Sequence, residues 1–257
     1  MKKLTLFFLL ITFAAQAQKI QWPHHKKALI VLTYDDALLS QIDTAVPALE
    51  AAHLPATFFL TGDINNQTIP QWRAISKKGF ELGNHTIFHP CTSSPDNPVS
   101  SDNYTIPQMI LEIYTMNSFL FAVDGKNSSR TFAYPCTETT VGGKDYVDSL
   151  RKYPFVKYAR VGGDVDAVIT DFKHLDPLQV PSYGIEDGVT GAALIAFVNR
   201  VEKSGGMGVL MFHGIGGDYI TTPTAAHQEL LDYLKKNKKY IWVATFQQAM
   251  DYVMKNK

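Results

Sequence analysis

Three short polar clusters each end an apolar run, at widely separated places in the chain. They are Tyr34-Asp35-Asp36, the segment 85–89 (HTIFH) and Met211-Phe212-His213. A short continuous apolar run is typical of a strand that is buried on both faces, as in a parallel sheet. Because parallel strands present their carboxyl ends at one edge, the pattern predicts that these clusters share one rim.

Strand and helix patterns alternate along the chain, which indicates a mainly parallel sheet with helical crossovers in a single domain. Neither a linker nor an internal repeat divides the sequence. The predicted strands are 28–33, 56–60, 80–83, 131–134, 157–161, 178–180, 207–212 and 241–243. The predicted helices are 41–53, 70–78, 108–123, 145–152, 190–203, 224–236 and a last one capped by Thr245.

The first 17 residues have the pattern of a secretory signal peptide. Lys2 and Lys3 precede an apolar stretch over 4–15 that is too short to span a bilayer, and Ala15-Gln16-Ala17 supplies small residues for cleavage. The alternative is an N-terminal helix packed on the domain. The signal peptide predicts a secreted or periplasmic domain over 18–257, with no later segment long and apolar enough to be a membrane anchor.

The charge balance argues against a nucleic-acid partner. The chain has 24 basic and 24 acidic side chains, so loss of Lys2 and Lys3 leaves 22 against 24, a net charge of −2. Nucleic-acid binding requires a basic stripe, and the sequence lacks one. A neutral carbohydrate fits this balance, and no protein partner is inferred.

His85 and His89 are four residues apart, so on one helical turn both rings would reach the same metal ion. Asp36 is the natural third ligand, and three protein ligands leave a position open for catalysis. Exposed histidines also reach this spacing by chance, which is the alternative interpretation.

The adjacent carboxylates of Asp35 and Asp36 repel each other and are costly to bury. A metal removes that cost for Asp36, and Asp35 is then left to take a proton from water. The alternative is that one carboxylate caps the segment after Ala37. His213 ends a late apolar run, where it is either a packed core histidine or a general acid.

Cys91 and Cys136 are the two cysteines, and each follows a proline shortly after a polar motif. An exported protein can form disulfides. Two alternatives stay open: a Cys91–Cys136 bridge if the two loops meet, or two separate buried thiols.

In this order, the motifs resemble those of the polysaccharide deacetylases of carbohydrate esterase family four, the NodB-type domain. Thr33-Tyr34-Asp35-Asp36-Ala37 resembles the family's T-F-D-D-G, with Ala37 in place of the glycine. The segment 85–89 matches H-[ST]-x-x-H, Phe132-Ala133-Tyr134-Pro135 resembles the third motif, and Leu210-Met211-Phe212-His213 resembles the last. The similarity extends from residue 29 to residue 243.

The resemblance implies a distorted (β/α) barrel of about seven parallel strands. It implies that Asp36, His85 and His89 bind a divalent metal, usually zinc. Asp35 would then be the base and His213 the acid in hydrolysis of an acetyl group from a carbohydrate.

The resemblance further implies that backbone near Tyr134 holds the oxyanion, together with the metal. It leaves open whether the scissile bond is an N-acetyl amide or an O-acetyl ester. The alternatives are a glycan-binding protein of this fold without turnover and an amidohydrolase for a small amide. Cobalt, nickel or manganese could use the same ligands as zinc.

Two departures from the family pattern concern the groups around the catalytic pair. Ala133 stands where the family often has an arginine that orients the base, and Arg130 lies three residues too early. We hypothesise that Arg160, on a neighbouring strand, supplies this guanidinium. Asp164 and Asp166 lack the tryptophan of the fourth motif, and they either tune His213 or are loop residues.

Aromatic residues near the rim are candidates for stacking on sugar rings. Tyr183 and Tyr219 lie in glycine-containing loops and are predicted to contact substrate. Tyr34 and Phe88 are predicted to pack into the barrel, and His227 is predicted to lie on the surface or behind the site.

Overall fold

The computed structural model describes residues 20–93, 98–163, 165 and 167–257. The predicted signal peptide lies outside the described residues, and so do Asp164 and Asp166.

The described residues contain strands and helices in largely alternating order. The strands are β1 (Ala28–Asp35), β2 (Thr57–Leu60), β3 (Glu81–Asn84), β4 (Arg130–Ala133), β5 (Thr140–Val141), β6 (Lys144–Asp145), β7 (Val156–Arg160), β8 (Val168–Ile169), β9 (Tyr183–Gly184), β10 (Met207–Phe212) and β11 (Ile241–Ala244). The α-helices are α1 (Val46–Ala52), α2 (Ile69–Lys77), α3 (Ile106–Asp124), α4 (Val147–Leu150), α5 (Gly191–Ser204), α6 (Thr224–Lys236) and α7 (Phe246–Asn256).

The main sheet is curled into a half-barrel, and β1 is its centre. The strand order is β7-β4-β3-β2-β1-β10, all parallel, with the short antiparallel β8 beyond β10. On its other side β1 pairs first with β11 and then with β2, so two strands share one edge of β1. This arrangement of seven main parallel strands confirms the predicted distorted barrel.

Every residue of β1 is buried, as the continuous apolar run predicts. Ile30, Leu32 and Tyr34 belong to the core between the sheet and the outer helices. Leu29 and Val31 face a second core that includes side chains of α7. Full burial of one large aliphatic side chain stabilises the fold by roughly 1.5–3 kcal/mol, so a strand buried on both faces is a strong anchor for the rim.

Helix α3 corrects the expectation that no later segment is long and apolar enough to be a membrane anchor. It has 19 residues, and an 18-residue stretch within it has a mean hydropathy of 1.2, so it reaches that length and composition. However, one side of it packs into the domain, with Met109, Ile113, Met116 and Leu120 almost fully buried. These contacts are those of a core helix.

Two predicted elements differ in detail. The expected helix 41–53 is a π-helical turn over Gln41–Ala45 followed by α1, which ends at a left-handed His53. The expected strand 178–180 forms only an isolated bridge between Val180 and Arg160. The paired segment around Val180 is too short to add a strand to the sheet.

Tyr34 is buried as predicted, and His227 is buried behind it. The Tyr34 hydroxyl lies 2.7 Å from Nε2 of His227. Burial raises the pKa of Tyr34 and lowers the pKa of His227 to about 4, so the hydroxyl donates to a neutral imidazole. Only about 1% of His227 is exposed, so of its two predicted positions it takes the one behind the site and not the one on the surface.

The buried His227 should make the fold sensitive to acid. At pH values between the unfolded pKa of His227, near 6.5, and its folded pKa of about 4, this side chain is protonated in the unfolded chain and neutral in the folded one. The free energy of unfolding should therefore fall as the pH drops through this window, by about 3 kcal/mol from this residue. Urea unfolding at pH 7.5 and pH 4 measures the loss.

His227→Gln is the matched variant, since its amide oxygen still accepts from Tyr34 but does not titrate. The variant should lose about 3 kcal/mol less than the wild type between the two pH values. Equal losses in both proteins would show that His227 does not carry this part of the pH dependence.

Candidate active site

Five of the predicted site residues lie together at the carboxyl ends of the parallel strands. Asp35 is the last residue of β1 and Asp36 follows it, while Arg160 is the last residue of β7. His85 directly follows β3, and His213 directly follows β10. The shared rim predicted from the sequence is therefore present.

A left-handed turn brings the two adjacent carboxylates to the same centre. Asp36 has φ 78° and Ala37 has φ 58°, and the Asp36 N–H donates to the Phe59 carbonyl at 3.1 Å. Side chains diverge in a regular strand, so this turn is what redirects Asp36 toward the histidines. The left-handed conformation also explains the family's glycine at position 37, because a Cβ there costs about 1 kcal/mol.

The histidine rings are fixed with their Nε2 atoms facing Asp36. Nδ1 of His85 lies 2.8 Å from the Ala133 carbonyl, which can only accept, so Nδ1 carries a proton and Nε2 is the nitrogen that has a lone pair in the neutral ring. The two Nε2 atoms of His85 and His89 are 3.1 Å apart. Each lies 3.4 Å from Oδ1 of Asp36.

The loop that carries these histidines is not the helical turn that their spacing predicted. Thr86 and His89 have φ values of 67° and 49°, and the chain there is irregular. Glu112 of α3 holds the loop, since its Oε1 accepts from the N–H of Ile87 at 3.1 Å and of Phe88 at 2.9 Å. The Phe88 side chain is 61% exposed, so the prediction that it packs into the barrel is wrong.

The geometry of these three residues fits one metal ion. Their ligand atoms all lie within 4.8 Å of one another. Two nitrogens bound to one zinc at 2.0–2.1 Å are about 3.0–3.4 Å apart, close to the separations found here. Oδ1 of Asp36 is buried and has no hydrogen-bond partner within the described chain. A buried carboxylate oxygen facing two imidazole nitrogens is a fitting site for a cation.

The electrostatics of the cluster keep Asp36 and His89 in their metal-binding forms. Burial opposes charge on Asp36, but the close approach of His85, the charge of His89 and the hydrogen bond from Tyr219 hold the pKa of Asp36 below its usual range. Burial and the neighbouring His85 lower the pKa of His89 to about 4. At neutral pH Asp36 is thus an anion and His89 a neutral ligand.

The pKa of His85 moves the other way. Burial opposes its protonation, yet the carboxylates of Asp35 and Asp36 raise the pKa above the usual value for histidine. The two carboxylates therefore create a negative potential at Nε2 that favours a positive charge there.

Asp35 is held on one oxygen and open on the other. Its Oδ2 accepts from Nη2 of Arg160 at 2.5 Å, and both side chains are almost fully buried. Its Oδ1 is buried without a hydrogen-bond partner among the described residues. Nη1 of Arg160 donates to Ser182 at 3.1 Å, and the guanidinium lies 5.3 Å from the centre of the Phe59 ring.

Arg130, the other arginine near the third motif, lies at the opposite end of its strand. It forms a bidentate ion pair with Asp124 at 2.8 and 2.9 Å. The structure thus places the hypothesised Arg160, and not Arg130, against the carboxylate of Asp35.

His213 and Tyr219 approach the cluster from the far side of Asp36. Nε2 of His213 is 3.8 Å from Oδ2 of Asp36, and the Tyr219 hydroxyl donates to the same oxygen at 2.8 Å. Tyr219 is 53% exposed, so its ring also borders the open side of the rim. Tyr183 is not brought to the cluster, because its ring packs against Phe197 of α5 at 5.0 Å.

The backbone N–H that could act as the expected oxyanion donor near Tyr134 is not the one of Tyr134 itself. The Tyr134 N–H donates to the Arg160 carbonyl at 3.1 Å as part of the sheet, and its buried side chain packs against Phe132. Pro135 has no N–H. Cys136 supplies the next one, and across the described ranges that N–H has no hydrogen-bond acceptor. The candidate donor is therefore Cys136 and not Tyr134.

Cys91 and Cys136 are joined in a disulfide, the first of the two alternatives for the cysteines. The bridge links the loop after β3 to the loop after β4. Its Cys91 sulfur lies 3.5 Å from Nδ1 of His89. It thereby fixes the backbone of Cys136 close to the histidine loop.

Several residues of the site were not anticipated. Glu112, Ser182 and Gln41 each bind a site residue or its loop, yet none belongs to a recognisable motif. Glu112 has a signal in the sequence, since a carboxylate interrupts an otherwise apolar helix (MILEIYTM). Ser182 has no such signal.

Comparison with known proteins gives one family. The profile described as "Polysaccharide deacetylase" matches residues 23–153, just over half of the chain. No curated protein is similar enough in sequence to count as a match.

The solved structures that resemble the chain share its fold at low identity. A candidate polysaccharide deacetylase from Mycobacterium smegmatis is 17% identical, with a TM-score of 0.69 over 94% of this chain and 95% of that one. Peptidoglycan deacetylase PdaC from Bacillus subtilis is 19% identical, with a TM-score of 0.61 over 91% and 95%. A family 4 acetyl xylan esterase from Clostridium thermocellum, solved with a cobalt ion, is 19% identical, with a TM-score of 0.55 over 87% and 90%.

Proposed function

The chain belongs to the polysaccharide deacetylase family, and from that premise we propose that it is a metal-dependent hydrolase that removes acetyl groups from a carbohydrate. The observation that carries the proposal is the state of Asp35. One of its oxygens, Oδ2, is fixed by Arg160 and lies 3.8 Å from Nε2 of His85, while the other, Oδ1, is buried with no hydrogen-bond partner among the described residues. A purely structural carboxylate would use both oxygens.

Asp36, His85 and His89 would hold a divalent cation, with zinc the best match to two histidines and one aspartate. When bound, the cation supplies charge that polarises the acyl carbonyl and makes water a stronger acid. Cobalt, which a structural neighbour contains, is an alternative occupant of the same ligands.

The residues of this chain would carry the remaining steps. Oδ1 of Asp35 accepts a proton from the attacking water, while Arg160 keeps the carboxylate in place. The N–H of Cys136 donates to the oxygen of the tetrahedral intermediate. His213, across the cluster from Asp35, donates a proton to the departing nitrogen or oxygen, and acetate is released.

A glycan-binding protein without turnover is less well supported. The features that favoured it were the altered fourth motif at Asp164 and Asp166 and Ala133, which leaves the usual arginine position empty. Ala133 pairs in register with Arg160 on the neighbouring strand, and the guanidinium of Arg160 binds Asp35 instead. An orienting arginine is thus supplied from another element, and Ala133 no longer favours loss of activity.

Acetate release is the direct test. The secreted or periplasmic location that we propose makes acetylated chitooligosaccharides, peptidoglycan and acetylated xylan the appropriate panel. We expect one of them to release acetate with metal-loaded protein, and release to stop after chelation and return with zinc. The responding substrate distinguishes an amide from an ester. Metal-loaded protein that releases acetate from none of them would refute the proposal.

A further inference from the structure

We infer that Gln41 is a positioning residue that holds the catalytic base and the catalytic acid in register. The inference rests on the proposed function, which supplies the roles of Asp35 and His213. The hydrogen bonds of the Gln41 side chain go to the backbone of both residues.

The contacts of Gln41 are specific. Its Nε2 donates to the carbonyl of Asp35 at 2.5 Å and to the carbonyl of His213 at 3.1 Å. Carbonyl oxygens only accept, so both hydrogens of the amide nitrogen are used. One side chain therefore links the last residue of β1 to the first residue after β10.

These two backbone positions lie where the sheet pairing ends. The β1–β10 register stops at Tyr34 and Phe212, so Asp35 and His213 are one residue beyond it. Asp35 still pairs with Phe59 of β2 there, but beyond Tyr34 and Phe212 the Gln41 amide is the link between the backbones of Asp35 and His213.

Gln41 is retained at a cost to stability. The side chain is fully buried, and within the described part of the chain its Oε1 has no hydrogen-bond partner. An unsatisfied buried acceptor destabilises the fold, a cost that an apolar residue of the same size would avoid. A buried polar group with such a cost calls for an explanation beyond packing.

The backbone at Gln41 is also unusual. The Val46 N–H donates to the Gln41 carbonyl, a π-type bond that opens the start of the helix by one residue. Such π-turns are rare and occur frequently at functional sites. Here the turn begins at the residue whose side chain enters the rim.

The preceding residue ties the same two loops together. Oγ of Ser40 accepts from the Ile215 N–H at 3.1 Å, and the Ser40 N–H donates to Asp218 at 2.8 Å. The loop that carries His213 and Tyr219 is thus attached to the turn before α1 at several points. Of the two residues that form these attachments, Ser40 and Gln41, it is the fully buried Gln41 whose side chain also binds the Asp35 carbonyl.

Gln41→Met tests the inference, because methionine fills a similar volume but donates no hydrogen bond. Thr33→Val is the matched control, since Oγ1 of Thr33 donates to the Leu210 carbonyl at 2.8 Å and so links the same two strands away from the catalytic groups. Both proteins are studied loaded with zinc, with acetate release and residue-resolved hydrogen exchange as readouts.

For Gln41→Met we expect kcat to fall about 10- to 100-fold with KM changed less than about threefold, since misplaced groups weaken the transition state more than the bound substrate. Backbone N–H exchange at Gly214 and Ile215 should be at least about tenfold faster. Thr33→Val should change neither kcat nor exchange at these two residues by more than about twofold.

The two readouts separate failure of this inference from failure of the proposed function. If the wild type releases no acetate, the proposed function is wrong, while the exchange rates still decide whether Gln41 holds the His213 loop. Unchanged exchange at Gly214 and Ile215 in Gln41→Met would overturn the inference. So would a loss of kcat that is equal in Gln41→Met and Thr33→Val.

Discussion

Replacement of Asp35 by asparagine should lower kcat by about 10³-fold while zinc affinity changes less than about fivefold. The substitution keeps the shape of the side chain but removes the carboxylate that would take the proton from water. Metal binding should survive, because Asp36, His85 and His89 form the proposed ligand set and Asp35 lies farther off, with Oδ2 3.8 Å from Nε2 of His85. Steady-state kinetics of zinc-loaded protein and a competitive zinc titration measure the two quantities.

Asp36→Asn is the matched control for this experiment, since it makes the same chemical change one residue later. It should weaken zinc binding strongly, by about tenfold or more, and lose activity for that reason. If both variants lost zinc equally, Asp35 would be a ligand and not a base, and the division of roles between the two carboxylates would be wrong.

The parallel sheet and the position of the site could be predicted because they depend on local patterns, whereas the barrel was predicted from the family resemblance. The apolar run before Asp35 and the one before His213 are buried strands with polar residues at their carboxyl ends, as parallel topology requires. The histidine pair was located correctly for the same reason. What the spacing could not give was its conformation, because the irregular loop depends on Glu112, which lies on a helix far along the chain.

The identity of the oxyanion donor could not be predicted from the third motif. Whether the N–H of Tyr134 is available depends on strand register, and the register commits it to the Arg160 carbonyl. Cys136 becomes the candidate only once that bond is known. Which backbone N–H groups of a strand are hydrogen-bonded depends on the sheet pairing and cannot be read from the residue types.

Arg160 shows the opposite case, in which a hypothesis from sequence gains a physical explanation. Ala133 and Arg160 are paired neighbours on β4 and β7, so the small side chain leaves room and the long one can reach across to Asp35. The guanidinium that contacts Asp35 thus comes from β7 and not from the third motif on β4. That a side chain at position 160 can replace one at position 133 follows from the pairing of β4 with β7, which the sequence does not show.

Replacement of Arg160 by methionine should therefore have a large effect on both stability and turnover. The ion pair with Asp35 is buried, with Arg160 about 1% exposed. Removal of one partner leaves a buried charge without compensation, which costs about 3–5 kcal/mol of unfolding free energy. The freed carboxylate also loses its orientation, so kcat should fall at least about 30-fold. Urea unfolding and steady-state kinetics on zinc-loaded protein measure these effects.

Arg130→Met distinguishes orientation of the base from general loss of stability. Arg130 is also buried and paired, but with Asp124 at the far end of β4. It should cost a similar 3–5 kcal/mol while the kcat of the folded enzyme changes less than about twofold. An equal loss of kcat in Arg130→Met and Arg160→Met would remove the case for Arg160 as the residue that orients the base.

In the double variant Asp35→Asn/Arg160→Met, no buried charge remains unpaired, so the unfolding free energy should exceed that expected from additive losses by about 2 kcal/mol. Strict additivity would mean that the contact between Asp35 and Arg160 does not stabilise the fold.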